Sequence, residues 1–127
     1  MELPPTLDKI LLDLGDVSVQ ERQDAYAAAD LFVHPSVHES FSIVLMEAWL
    51  QGTPALVHAD CAVTRQAAEA SGGGLTFRDF GEFAAALDML LANAELRADM
   101  GRRGREFVLA TCDWADVARR TVAAILE

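Results

Sequence analysis

The chain of 127 residues carries a formal net charge of −10, with 20 acidic against 10 basic residues and Lys9 as its single lysine. Nucleic-acid binding rests on basic side chains that neutralise phosphates, so this balance argues against a nucleic-acid partner. The apolar content of 52% fits one globular unit over residues 1–127, and the longest apolar stretch, Ile43 to Leu50, is broken by Glu47 and falls far short of the ~20 residues a membrane helix needs.

Residues 1–6 read as a loose start. Lys9 to Leu14 reads as a strand that ends at Gly15. Ser18-Val19-Gln20-Glu21 is a capping-box sequence, in which the serine caps new helical amides and the glutamate reaches back. The helix it opens runs through Tyr26 to about Ala29. Leu31-Phe32-Val33 is a short buried strand stopped by Pro35, and His34 to Ser40 form a loop. Phe41 to Gln51 reads as a helix ended by Gly52, with Pro54 just beyond. Ala55 to Val57 is the next strand. Val63 to Ala70 is helical and ends in Gly72-Gly73-Gly74, and Leu75 to Phe77 is a strand.

Three helices finish the chain. Asp79 and Glu82 open the first, whose apolar face is Phe83, Ala86, Leu87, Leu90 and Leu91. Asn93 caps the second, which is expected to pack through Leu96, Met100 and Phe107. Asp113 caps the third, which is expected to pack through Trp114, Val117, Thr121 and Ile125. Strands alternating with helices predict an α/β fold, a partial Rossmann-like parallel sheet of about four strands flanked by helices. Cys61 and Cys112 form neither a CxxC nor a disulfide framework, and the N-terminus has no secretion-signal pattern. The expected setting is therefore reducing and cytoplasmic.

The informative segment runs from His34 to Trp49. It follows the carboxyl end of a parallel strand, where open α/β sheets bind ligands. It then enters a helix N-terminus, where free amides and the helix dipole favour an anion such as a phosphate. Ser40 and Ser42 are small enough to let a ligand approach the backbone. Glu47 lies in a helix otherwise apolar nearly all round, where a carboxylate is costly unless something pairs with it. The vicinal hydroxyls of a ribose would suit it, because an ionised carboxylate only accepts. Glu39 stands in the loop before that helix, in reach of the same cleft. The competing reading, in which Glu47 snorkels to solvent and Glu39 is an ordinary loop charge, is equally open from the residues alone.

Seven residues separate Glu39 from Glu47. Ala29-Asp30-Leu31-Phe32-Val33-x-Pro35-Ser36 lies upstream, and Glu47-Ala48-x-x-x-Gly52-Thr53-Pro54 lies downstream. With these flanks the segment resembles the E-x7-E region of retaining glycosyltransferases of family 4. Leu14-Gly15-x-Val17-Ser18, Gly74-Leu75-Thr76-Phe77 and Asp113-Trp114 are similar to further stretches of that family, in order, over roughly residues 9 to 126.

The resemblance implies the C-terminal domain of a GT-B-type enzyme, which binds a nucleotide-activated sugar donor against an N-terminal acceptor domain. By position, Glu47 would bind the donor ribose and Glu39, the expected catalytic residue, would face the donor sugar. The backbone at Ser40, Phe41, Ser42 and Ile43 would meet the sugar and diphosphate, and the turn at Gly15 and Val17 would lie near the base. Transfer would retain anomeric configuration without a metal or other cofactor, assisted by the leaving diphosphate.

Two departures stand out. The family pattern has glycines where this chain has Ser40 and Ser42, so glycine-only backbone angles are expected to be lost. Its "GG-x-x-E" stretch is replaced by Asp60-Cys61-Ala62-Val63-Thr64-Arg65. The acceptor domain and the first strands of the donor domain, with their diphosphate-clamping Arg and Lys, have no counterpart before Lys9. The isolated chain is therefore expected to lack turnover. Residues 9–14 are expected either to close the resulting gap in the sheet or to pair with another chain, since an unpaired edge invites self-association.

Rival readings rest on thinner patterns. Asp13 and Asp16 after a strand suit a receiver domain, but receivers use a late lysine that is absent here. His34, His38 and His58 could make three metal ligands, though from loops without helical spacing. Ser36 and Cys61 show no nucleophile motif. A non-catalytic interaction or nucleotide-binding module would keep the fold and lose turnover.

Overall fold

The computed structural model describes residues 10–126. Helix α1 (Val19–Ala28) precedes strand β1 (Phe32–His34), helix α2 (Ile43–Leu50), strand β2 (Ala55–His58), helix α3 (Ala62–Ser71) and strand β3 (Gly74–Phe77). Helices α4 (Phe80–Ala92), α5 (Ala94–Thr111) and α6 (Trp114–Leu126) follow. The strands form one parallel sheet in the order β1-β2-β3, with Phe32, Val33 and His34 opposite Ala55, Leu56 and Val57. The α/β architecture is thus the expected one. No helix among the described residues is long and apolar enough to cross a membrane.

Local chemistry explains the helix boundaries. The Ser18 hydroxyl accepts from the Glu21 amide and the Glu21 carboxylate accepts from the Ser18 amide, so both bonds of the capping box form. The Ser18 bonds hold the Glu21 carboxyl below its ordinary value. Asp79 caps α4 and Asn93 caps α5 through their side chains. Gly72 ends α3 at a φ of 68°, the left-handed geometry that glycine adopts without cost.

Strand parity divides the core. Ala55 and Val57, with Phe32 partly buried beside them, pack against Leu45, Met46 and Trp49 of α2, Ala68 of α3 and Val108 of α5. The opposite parity carries Phe77, whose ring meets Phe83 of α4 edge-on. Helix α1 is tied to this frame at its end, where the Thr53 hydroxyl donates to the Tyr26 carbonyl at 2.6 Å and the Tyr26 ring meets Phe32 edge-on.

Three expectations need correction. Residues 10–14 form no strand, so the sheet of described residues has three strands rather than four and this segment does not close it. Lys9, the first residue of that expected strand, lies outside the described residues. The segment ends in a local turn in which the Asp13 carboxylate accepts from the Gly15 amide at 2.8 Å, and Ile10, Leu12 and Leu14 are exposed. An apolar run becomes a strand only beside a neighbour that pairs with it. Helix α2 begins two residues later than expected, leaving Phe41 and Ser42 outside it. The third correction concerns α6, where Trp114 is 84% exposed and Ile125 is exposed as well, so its apolar stripe is mostly unpacked.

Candidate functional site

The site is built where β1 ends and α2 begins. Pro35 stops the strand, and the chain turns through Ser36–Ser40 before Ser42 takes the position that precedes α2. Ser36 stiffens that loop, its hydroxyl donating to the His38 carbonyl at 3.1 Å.

Ser42 is the residue on which the helix start depends. It sits at φ 66° and ψ 71°, and among the described residues it is the one non-glycine with positive φ. Serine thus holds a left-handed backbone here that favours glycine. Left-handed φ costs a residue with a Cβ about 1–2 kcal/mol. The Ser42 hydroxyl is buried, makes no hydrogen bond and does not cap the helix. Replacing Ser42 by glycine removes both penalties, at the cost of greater freedom in the unfolded chain. A Ser42→Gly chain is expected to gain about 1 kcal/mol and melt at a higher temperature by calorimetry. A lower melting temperature would show that the serine is not strained.

The consequence of this start is an uncapped helix. Among the described residues, no hydrogen bond engages the amides of Phe41, Ser42, Ile43 or Val44. Phe41 and Ile43 are exposed. Free amides at a helix N-terminus, reinforced by the dipole, favour an anion.

The two carboxylates have partners within the chain. Glu39 Oε1 lies 3.1 Å from His34 Nε2 at the end of β1, with side chains 26% and 13% exposed. The contact is close but off the line a hydrogen bond needs, since the buried His34 Nε2 has no hydrogen-bond partner. It is an ion pair only when the imidazole carries its second proton. Glu47, half-buried on α2, accepts from Arg22 Nη2 of α1 at 3.0 Å through Oε1. Tyr26 joins this pair: burial raises its phenol above the ordinary value, the Glu47 charge adds to that, and Arg22 subtracts. The buried polar side-chain atoms without partners among the described residues are Arg22 Nε, His34 Nε2 and Ser42 Oγ. His34 and Ser42 flank the β1–α2 junction and Arg22 reaches α2 from α1, whereas the other buried polar side-chain atoms of the described residues have partners, as is usual in native folds.

The structure thus groups Glu39, Ser40, Phe41 and Ser42 on one connection, with Ile43 and Glu47 following on the helix. Gly15 and Val17 lie in the segment before α1, Gly15 at a φ of 59°. Arg22 went unnoticed in the sequence, because its partner Glu47 lies 25 residues away on another helix. Of the rival sites, His34 faces Glu39, and His58 Nδ1 accepts from the Asp60 amide. No group of three metal-ligating side chains forms among the described residues.

Cys61 is buried at the start of α3. Burial pushes its thiol up, but the Thr64 hydroxyl and the amides of Thr64, Val63 and Glu39 outweigh this and hold it below the ordinary value. The Arg65 guanidinium donates to the Ala59 carbonyl, and Arg78 pairs with Asp60.

A groove of about 790 Å³ lies beside this site and not on it. Met46, Ala67, Phe107, Trp114 and Val117 line it, with Phe41 as the residue it shares with the candidate loop. Its walls are mostly apolar, and its one arginine, Arg120, is already paired with Asp116 and the Thr111 carbonyl. Size alone does not make it the place for a charged ligand.

Comparison with known proteins converges on one group. The profile of the family described as "Glycosyl transferases group 1" matches residues 13–107. A trehalose synthase of Rubrobacter xylanophilus is 32% identical over 100 residues, 79% of this chain and 23% of its own length. A D-inositol 3-phosphate glycosyltransferase of Geodermatophilus obscurus is 33% identical over 113 residues, 81% of this chain and 25% of its own. The chain therefore spans about a quarter of the length of the curated relatives it matches. Among solved structures, a sucrose-phosphate synthase from Thermosynechococcus elongatus superposes with a TM-score of 0.78 at 27% identity, covering 88% of this chain and 28% of that one. WaaG, a glycosyltransferase involved in lipopolysaccharide biosynthesis, gives a TM-score of 0.58 at 29% identity, covering 66% and 23%.

Proposed function

The chain belongs to the glycosyl transferases group 1, matched over residues 13–107, and on that premise we propose that it binds the nucleotide-activated sugar donor of a glycosyl transfer that retains anomeric configuration. Since the chain spans about a quarter of each curated relative, donor binding is the activity proposed for this stretch. Turnover would require an acceptor-binding domain.

The observation that carries this reading is the uncapped start of α2 at the carboxyl end of β1, with the Glu47 carboxylate on the same helix. The diphosphate would meet the amides around Phe41, Ser42 and Ile43. Glu47 would accept from the ribose hydroxyls, Glu39 would face the sugar across from His34, and Gly15 and Val17 would lie by the base. The amides supply positive partial charge without a metal, so metal-free binding is the expected mode.

Calorimetric titration of the chain with UDP, GDP and ADP, in buffer with a metal chelator, tests the proposal. Binding of one of them in the micromolar-to-millimolar range is the expected result and identifies the donor class. Absence of binding to all three would overturn donor binding. It would favour a second reading, an interaction module that uses the apolar groove and the exposed Trp114.

A further inference from the structure

Glu47 already has a partner inside the chain, on a different helix and 25 residues away. We propose that Arg22 is a positioning residue for Glu47: it holds the carboxylate in one orientation and offsets its charge, so that the free oxygen accepts the ribose hydroxyls of a nucleoside diphosphate. This inference rests on the reading above, in which Glu47 meets the ribose.

Arg22 is itself held in place. The capping box fixes the first turn of α1, and the Thr53 bond to the Tyr26 carbonyl fixes its last turn. From that helix Nη2 reaches Glu47 Oε1 at 3.0 Å, with the two side chains 40% and 28% exposed. A partly buried pair of this kind matters most through what its loss leaves behind, a carboxylate in a mostly apolar helix with no cation beside it.

The pairing leaves the carboxylate able to bind. Each carboxylate oxygen accepts at two lone pairs. Arg22 occupies one of those on Oε1, and no hydrogen bond of the described residues uses Oε2. Two vicinal hydroxyls need two acceptor positions, so arginine and ribose are compatible. The arginine prevents the carboxylate from rotating freely and lowers the repulsion an anionic ligand meets in a chain of net charge −10.

The test uses the full chain, its Arg22→Ala and Arg22→Lys variants, and two probes: the nucleoside diphosphate that binds among UDP, GDP and ADP, and its dideoxyribose analogue. Arg22→Ala is expected to weaken the ribonucleotide about fivefold while leaving the dideoxy analogue nearly unchanged, because the arginine acts through Glu47 on the hydroxyls. Arg22→Lys, which keeps the charge without the planar fork, is expected to lose less and carries the test if the alanine variant does not fold.

An undiminished preference for the ribonucleotide in the variants would overturn the positioning role and leave donor binding standing. Tighter ribonucleotide binding by Arg22→Ala would also overturn it, since arginine would then compete with ribose. Failure of the unaltered chain to bind any of the three would overturn donor binding and this inference together.

Discussion

Replacing Trp49 by alanine is expected to cost about 3–5 kcal/mol, enough to bring a domain of ordinary stability close to unfolding. Trp49 is fully buried. Its indole N–H donates to the Gly73 carbonyl at 2.9 Å, and its ring meets Phe107 edge-on. The surroundings are shaped to it: a Cβ at Gly104 would lie 2.5 Å from its Cδ1, and one at Gly73 would lie 2.8 Å from its Cε2. Alanine would leave a cavity walled partly by the backbone at Gly73 and Gly104, and would orphan the Gly73 carbonyl.

Denaturant unfolding followed by circular dichroism measures this loss. Trp114 supplies the control, because at 84% exposure its replacement by alanine is expected to change stability by no more than about 0.5 kcal/mol. A Trp49→Ala chain destabilised by less than about 1 kcal/mol would contradict the packing described here.

The second large effect falls on binding. Glu47→Ala is expected to weaken the nucleoside diphosphate at least about tenfold, equivalent to about 1.4 kcal/mol, because the ribose loses a charged acceptor. It also strands the Arg22 guanidinium, so affinity should be measured on a chain whose circular dichroism shows it folded. Glu39→Gln is the informative companion. If Glu39 faces the sugar, its replacement leaves the affinity for a nucleoside diphosphate without sugar within about twofold. Equal losses in both variants would mean that the two carboxylates do not divide the ligand as proposed.

Much of the fold was legible because its signals are local. The capping box at Ser18 and Glu21 lies within one turn, and the Asp79 and Asn93 caps need only the next three residues. The short strands around Phe32, Leu56 and Leu75 stand out as apolar runs between breakers. Glu47 was conspicuous because a lone carboxylate in an apolar helix demands a partner.

What was missed depends on contacts between distant segments. Nothing near Arg22 in sequence indicates that it meets Glu47, since α1 carries several charges and the pairing exists only once α1 lies beside α2. Residues 10–14 have a strand's composition, but composition does not say whether a neighbour is there to pair. The periodicity of α6 shows which face is apolar, not whether anything covers it, so Trp114 was expected inside and lies outside. Ser42 is a case where chemistry in isolation misleads: serine disfavours left-handed φ, yet the turn into α2 imposes it.

The location of the ligand is the claim on which the rest depends, and a ¹⁵N-labelled chain titrated with UDP, GDP or ADP reads it directly from amide chemical shifts. The expected result is a cluster of shifts at Ser40, Phe41, Ser42, Ile43 and Glu47, extending to Gly15 and Val17. Shifts confined to the groove residues Ala67, Phe107, Trp114 and Val117, or no shifts with any of the three nucleotides, would contradict donor binding at the β1–α2 junction.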